Sequence, residues 1–321
     1  MRIVLCYPVE ARHIEQMRAT APQFEVVDAG QQGIAEELAE ATIFCGHAKV
    51  PVPWHEVVRA GRLKWIQSSA AGLDHCLVPS VVESDICVTS ASGVLADQVA
   101  EHTLALILAS LRSLPEFFRA QNEKEFQRRP TRDIHQATVG IVGFGGVGRR
   151  VAEVLAAFKA RILATDMYPV DKPDYVDQLW PADQLLSLLK ESDIVILCVP
   201  LTAVTQGMIN ADTLNVMKAQ ALLVNVARGP VVVEADLVDA LDRATIAAAA
   251  LDVTEQEPLA PQSALWDLPN VIITPHVAGQ SARRADDMTD FFCRNLVRYQ
   301  RGQPLLNRVD KRLGYPVRVS P

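Results

Sequence analysis

Thr138-Val139-Gly140-Ile141-Val142-Gly143-Phe144-Gly145-Gly146-Val147-Gly148 is the stretch that decides the fold. Its first five residues read as a short apolar strand. Gly143, Gly145 and Gly148 then stand in the Gly-x-Gly-x-x-Gly spacing that carries a strand into a helix. The buried stripe of that helix is expected at Val147, Val151, Val154, Leu155 and Phe158. In such a loop Gly143 permits the tight turn, Gly145 lets backbone N–H groups approach a pyrophosphate, and Gly148 lets helix and strand pack closely. The helix N-terminus then faces the anion. Asp166 closes the next predicted strand, 18 residues after Gly148, where a carboxylate accepts hydrogen bonds from ribose hydroxyls. A 2′-phosphate beside it would meet roughly 2 to 4 kcal/mol of repulsion. Met167, Tyr168, Pro169 and Val170 offer no compensating cation, so NAD is expected in preference to NADP.

Outward from this loop, strands alternate with helical patterns. Downstream, runs at 138–142, 162–165, 194–199, 221–225, 246–252 and 271–274 predict six strands of a doubly wound parallel sheet. Upstream, runs at 3–7, 24–27, 42–45, 64–67 and 86–89 predict a second parallel α/β unit. A long helix is expected from about Asp97, leading to a polar stretch, 121–136, that reads as the crossing between units. The chain after Thr274 suffices for a helix near 284–301 and a tail, but not for a core of its own, so it is expected to return to the first unit. The fold class is therefore α/β with two doubly wound parallel sheets. A nucleotide domain of Rossmann type (101–287) is inserted into a discontinuous, flavodoxin-like substrate domain (1–100 plus 288–321), with a cleft between them.

Composition narrows the function. A net charge of −7 argues against electrostatic binding to nucleic acid or an anionic membrane, which needs clustered Lys and Arg. The six cysteines show no paired spacing and sit mostly in apolar runs, which fits a reducing compartment. The opening apolar run is too short for a signal peptide, and no apolar stretch approaches the length of a membrane span. A cytoplasmic location is expected, and no metal site.

Three residues stand just past apolar runs on the nucleotide side: Arg228 in Asn225-Val226-Ala227-Arg228-Gly229, Glu257 in Glu255-Gln256-Glu257-Pro258-Leu259, and His276 in Thr274-Pro275-His276-Val277-Ala278-Gly279. Reduction of a ketone needs a cation for the substrate carboxylate and a proton donor for the forming alkoxide. Arg228 supplies a permanent, forked cation. His276 is placed after a strand and suits proton transfer, and a carboxylate beside an imidazole favours its protonated form. Glu257 is the chosen partner over Glu255, because Pro258 stiffens the chain behind it. Asp252, at a strand end, is a candidate to orient a nicotinamide carboxamide or to cap its own loop. His13, His47, His55, His75, His102 and His135 are assigned to surface or packing. Trp54, His75, Trp266, Arg283 and Arg284 are candidate walls of a side-chain pocket.

These motifs resemble the D-isomer-specific 2-hydroxyacid dehydrogenases over essentially the whole chain from about Leu63 to Tyr315. The resemblance rests on the glycine loop and downstream acid, Pro200-Leu201-Thr202, Asn225-x-x-Arg228-Gly229, Glu255-x-Glu257-Pro258-Leu259 and Thr274-Pro275-His276-x-Ala278-Gly279, in that order. It implies a catalytic triad of Arg228, Glu257 and His276, and NAD contacts at Gly146, Val147, Asp166, Val199, Val226, Ala227, Arg228, Asp252, His276 and Gly279. It also implies that the loop Ser69-Ala70-Ala71-Gly72-Leu73-Asp74 holds the substrate carboxylate through backbone N–H groups of Ala71 and Gly72. A homodimer formed through the nucleotide domains is implied as well. Gly146 departs from the family, which frequently has Arg there, but the contact is by backbone. Glu257 disfavours formate as substrate, and the tail after Thr274 leaves no room for the regulatory domain of the longer phosphoglycerate dehydrogenases. Phosphite oxidation and an NAD-sensing corepressor-like role are the alternatives within the same resemblance.

Overall fold

The computed structural model describes residues 1–169 and 171–316; Val170, one of the residues following Asp166, lies outside them. Two compact units emerge: Met1–Leu95 with the chain from Ser281 on, and Ala96–Gln280. Both divisions precede a helix, Ala96–Leu111 and Arg284–Gln300, whereas divisions at 100/101 and 287/288 would cut through each. The polar stretch 121–136 does not cross between units. It lies inside the second, where the Arg132 N–H donates to the Leu111 carbonyl (2.8 Å), the Arg132 guanidinium to the Gln220 carbonyl (2.5 Å), and Arg112 pairs with Asp133 (2.6 Å). Its polar composition reflects partners on one surface rather than a linker.

In the first unit, β1 (Arg2–Cys6), β2 (Glu25–Asp28), β3 (Ile43–Gly46), β4 (Trp65–Ser68) and β5 (Cys87–Thr89) form a parallel sheet of order β2-β1-β3-β4-β5. This is the flavodoxin-like doubly wound order. Alternate residues of each strand enter opposite cores, Val4, Phe44, Ile66 and Val88 on one face and Ile3, Leu5, Ile43 and Trp65 on the other. Helix Arg284–Gln300 covers the second face with Met288, Phe292 and Leu296, a stripe at successive turns. Phe292 and Tyr299 rings lie 5.3 and 5.4 Å from that of Trp65.

In the second unit, β6 (Thr138–Val142), β7 (Arg161–Asp166), β8 (Gln178–Pro181), β9 (Ile194–Leu197), β10 (Leu222–Asn225), β11 (Ala248–Leu251) and β12 (Val271–Ile273) form a parallel sheet of order β12-β11-β10-β9-β6-β7-β8. It has seven strands where the sequence predicts six. The unexpected strand is β8, which has no β-branched residue and ends in proline. It sits at the sheet edge, pairing with β7 alone, where a missing N–H is tolerated. Central strands are buried on both faces, with Ile194 and Ile196 in one core and Val195 and Leu197 in the other. The chain direction through the sheet reverses between β6 and β9, which creates a crevice at their carboxyl ends.

Helix Gly146–Ala156 buries Val151 and Leu155 and half-buries Val147 and Val154 against this sheet. Phe158 departs from the predicted stripe. It lies beyond the helix end, 37% exposed, because the chain turns away through Lys159 at φ 58°. Among the described residues no helix is long and apolar enough to cross a membrane.

Candidate active site

The glycine loop leaves β6 at the switch point. Gly143, at φ +94°, donates its N–H to the Thr165 carbonyl (2.9 Å). A Cβ there would lie 2.9 Å from the backbone of Cys198 and Val199 after β9, so this position is closed to side chains. Gly148 abuts the Gly143 carbonyl oxygen, which lets the helix start tight against the strand. A Cβ at Gly145, the helix N-cap, would meet nothing within 4 Å. Open space in front of a helix N-terminus suits a pyrophosphate. Asp166 latches the loop: its carboxylate accepts the Phe144 N–H (2.7 Å) on one oxygen and the Tyr168 N–H (2.9 Å) on the other. Each oxygen retains a lone pair for a ribose hydroxyl.

A second group gathers at the carboxyl edge of β10, β11 and β12. Register aligns Asn225 with Leu251 and Leu251 with Ile273. Arg228, Asp252 and His276, each one to three residues past those strands, therefore leave the same edge, with neighbouring strands about 4.8 Å apart. Asn225 is buried and shapes the first turn. Its Oδ1 accepts the Ala227 N–H (3.0 Å), and its Nδ2 donates to the Arg228 carbonyl (3.2 Å). Arg228 Nη1 donates to the Ala227 carbonyl (2.7 Å). Gly229 packs so close to the Thr254 carbonyl that no Cβ would fit, which ties the Arg228 turn to the acidic segment.

Within that segment the two glutamates separate. Glu255 Oε2 accepts the Glu234 N–H (2.9 Å) at the start of helix Glu234–Asp242, where a carboxylate complements the helix dipole. Glu257 Oε2 lies 2.7 Å from His276 Nδ1, with both side chains well exposed. The Glu257–Pro258 peptide is cis. His276 itself is left-handed, at φ 53°, a conformation that costs about 1 kcal/mol or more for a non-glycine residue. Its N–H is shared between the carbonyls of Asp252 (2.8 Å) and Thr274 (3.0 Å), which hold the turn in place.

Asp252 is 2% exposed. Oδ1 accepts from Thr274 Oγ1 (2.6 Å) and the Val277 N–H (2.9 Å), and Oδ2 accepts the Ala278 N–H (2.9 Å). Of the two sequence readings for this acid, loop anchoring is what these contacts supply. His102, assigned to surface or packing, places Nε2 2.9 Å from Thr274 Oγ1 and 3.4 Å from Asp252 Oδ1. Val199 and Val226 are half-buried against the two cores of this unit, and Gly279 follows the anchored turn.

In the first unit the loop after β4 is held by Ser69 N–H to the Gly46 carbonyl (3.1 Å), Ala91 N–H to the Ala70 carbonyl (3.0 Å), and Arg284 Nη2 to the Ser69 carbonyl (3.3 Å). Neither the Ala71 nor the Gly72 N–H meets a partner among the described residues, and Ala71 is exposed. Of the candidate pocket walls, Trp54 is core, with its indole N–H on the His75 carbonyl (3.1 Å). Trp266 and Arg283 are exposed. His75 stacks on His47 at 4.0 Å. Burial, then the neighbouring His47, pushes its imidazole down to about 3. All six cysteines are free, and among the described residues no cluster of His, Cys, Asp or Glu could hold a metal.

Two parallel α/β units, one with an open glycine loop at its switch point and an acid–imidazole–guanidinium edge, define a nucleotide-dependent oxidoreductase. The NAD binding domain of the D-isomer specific 2-hydroxyacid dehydrogenase family matches residues 104–278, and the chain belongs to that family. It is 37% identical over 253 residues to the glyoxylate reductase of Thermofilum pendens, covering 76% of this chain and 74% of that protein. The D-isomer specific 2-hydroxyacid dehydrogenase from Xanthobacter autotrophicus Py2, solved with NADPH and MES, matches with a TM-score of 0.84 at 30% identity, over 98% of this chain and 99% of that one. The NADPH-dependent glyoxylate/hydroxypyruvate reductase of Sinorhizobium meliloti, solved with NADP and sulfate, matches at 0.82 and 28%, over 98% and 99%. A nicotinamide dinucleotide fits the open space at Gly145 and the lone pairs left on Asp166.

Proposed function

We propose that this protein reduces a small 2-oxo acid to the D-2-hydroxy acid with NADH, and catalyses the reverse oxidation. The observation that carries the reading is the His276–Glu257 pair at 2.7 Å, on the sheet edge that also bears Arg228. With Nδ1 engaged by the carboxylate, Nε2 is the nitrogen that gives a proton to the forming alkoxide in reduction and takes one from the hydroxyl in oxidation. Glu257, 2.7 Å from Nδ1, fixes the orientation of the ring. Arg228 binds the substrate carboxylate and polarises the carbonyl through its fork. The Ala71 and Gly72 amides of the first unit are the carboxylate contacts that the family resemblance implies. Reduced nicotinamide supplies the hydride for the carbonyl carbon.

Gly145, Gly146 and Val147 would hold the pyrophosphate and Asp166 the ribose, with Gly143 and Gly148 shaping the loop. Val199, Val226, Ala227 and Gly279 complete the cofactor contacts that the family resemblance implies. Asp252 enters as anchor of the His276 turn, since its side chain is almost wholly enclosed. NAD is preferred because the Asp166 carboxylate is fixed by two amides where a 2′-phosphate would lie, even though the two solved relatives above were crystallised with NADPH or NADP. Glyoxylate is the first substrate to test, given the activity named for the Thermofilum pendens relative. Family resemblance and the exposed Phe118 and Phe126 of the second unit support a homodimer, which sedimentation would refute by returning a monomer at micromolar concentration.

His276→Ala is the direct test. Turnover of glyoxylate should fall by roughly 10³-fold or more, while NADH affinity stays within about threefold of wild type by fluorescence titration. Retained turnover would remove His276 from the proton step.

A further inference from the structure

Beneath the turn that carries His276 runs a chain of polar groups whose hydrogen-bond directions can be assigned. Thr274 Oγ1 lies 2.6 Å from Asp252 Oδ1, and a carboxylate only accepts, so the hydroxyl proton points to Asp252. Thr274 Oγ1 can then only accept from His102 Nε2, 2.9 Å away. His102 therefore carries its proton on Nε2, and the order is His102 N–H to Thr274 O–H to Asp252 carboxylate. The same Nε2 stands 3.4 Å from Asp252 Oδ1, close enough for charge to be felt without a second hydrogen bond.

The far end of this chain is the proton-transfer turn. Asp252 takes the N–H groups of Val277 and Ala278 on its carboxylate, and its main-chain carbonyl takes the N–H of His276. A left-handed His276 is not what the local chain prefers. It persists because residues 274, 276, 277 and 278 all bond to one enclosed acid. His102 is 22% exposed in its side chain and projects from helix Ala96–Leu111. It is the group outside the turn, among the described residues, that engages both Thr274 and Asp252.

We infer that His102 is a positioning residue: acting through Thr274 and Asp252, it fixes the turn on which His276 presents its imidazole. This rests on the proposed role of His276 in proton transfer. Its consequence is selective, because His102 reaches the turn through Thr274 and Asp252 and makes no hydrogen bond to the His276 ring, while the turn of Arg228 follows β10 and is held by Asn225. Loss of His102 should loosen the donor and leave substrate and cofactor binding in place.

The experiment compares wild type with His102→Ala and His102→Gln, the latter because a glutamine amide can offer an N–H near the position of Nε2. For His102→Ala, kcat with glyoxylate should fall about 10- to 100-fold, with the KM for glyoxylate and the Kd for NADH within about threefold. His102→Gln should recover kcat to within about fivefold of wild type. In parallel, hydrogen exchange of the unliganded protein should speed up at the amides of Val277 and Ala278 in His102→Ala and not in His102→Gln. Unchanged exchange in His102→Ala would overturn the positioning role whatever the enzyme reduces. So would kcat within twofold of wild type, or equal damage in both variants. If wild type turns over no 2-oxo acid, the functional reading fails, and the exchange result still decides the role of His102 in the turn.

Discussion

Asp166 and Asp252 both mark the carboxyl ends of strands in one parallel sheet, and they are used in opposite ways. Asp166 at the end of β7 receives two backbone N–H groups, one on each oxygen, and stays half-buried. Asp252 after β11 receives two N–H groups and a hydroxyl, lies beside an imidazole, and is 2% exposed. An acid at a strand end is thus one signal with two outcomes. What separates them is how many donors the protein itself supplies. Three donors and almost complete enclosure fit Asp252 to hold a turn, whereas two donors and a half-buried place leave Asp166 more capacity to meet a ligand.

Four substitutions press on this contrast. Asp252→Ala should have the largest effect, since it strands the Thr274 hydroxyl and two amides in an enclosed place. Stability measured by urea unfolding should drop by about 3 kcal/mol, and kcat should fall by roughly 10²-fold or more as the His276 turn relaxes. A variant as stable and active as wild type would show that Asp252 anchors nothing. Next, Glu257→Gln should lower kcat by roughly 10²-fold, while Glu255→Gln, which only weakens a helix cap, should leave kcat unchanged and cost about 1 kcal/mol or less. Steady-state rates that fall equally in both would erase the distinction between the two glutamates. Asp166→Ala, acting on the cofactor rather than on the proton step, should raise the KM for NADH about 10-fold and shift the NADPH-to-NADH preference by about 2 kcal/mol. An unchanged cofactor ratio would mean that Asp166 serves the glycine loop alone.

The glycine loop was legible because its requirements are local: three glycines, a strand before, a helix after. Arg228, Glu257 and His276 were legible through short motifs at strand ends. Strand β8 was not, since an edge position relaxes the composition that marks a strand, and Phe158 misled because helical periodicity does not say where the helix stops. The two glutamates separate through contacts the sequence does not show: the Glu234 amide, 21 residues away, occupies Glu255, and His276 lies on Glu257. His102 lay furthest from view. Its meaning depends on contact with Thr274, 172 residues along the chain, and nothing in Glu101-His102-Thr103 distinguishes it from a packing histidine.

The account stands or falls most directly on one assay: initial rates of cofactor oxidation by the wild-type protein against glyoxylate, hydroxypyruvate, pyruvate, phenylpyruvate and branched 2-oxo acids, with NADH and again with NADPH. The prediction is turnover of at least one small 2-oxo acid, with kcat/KM for NADH exceeding that for NADPH by about 30-fold or more. Oxidation of neither cofactor by any of these acids would contradict it.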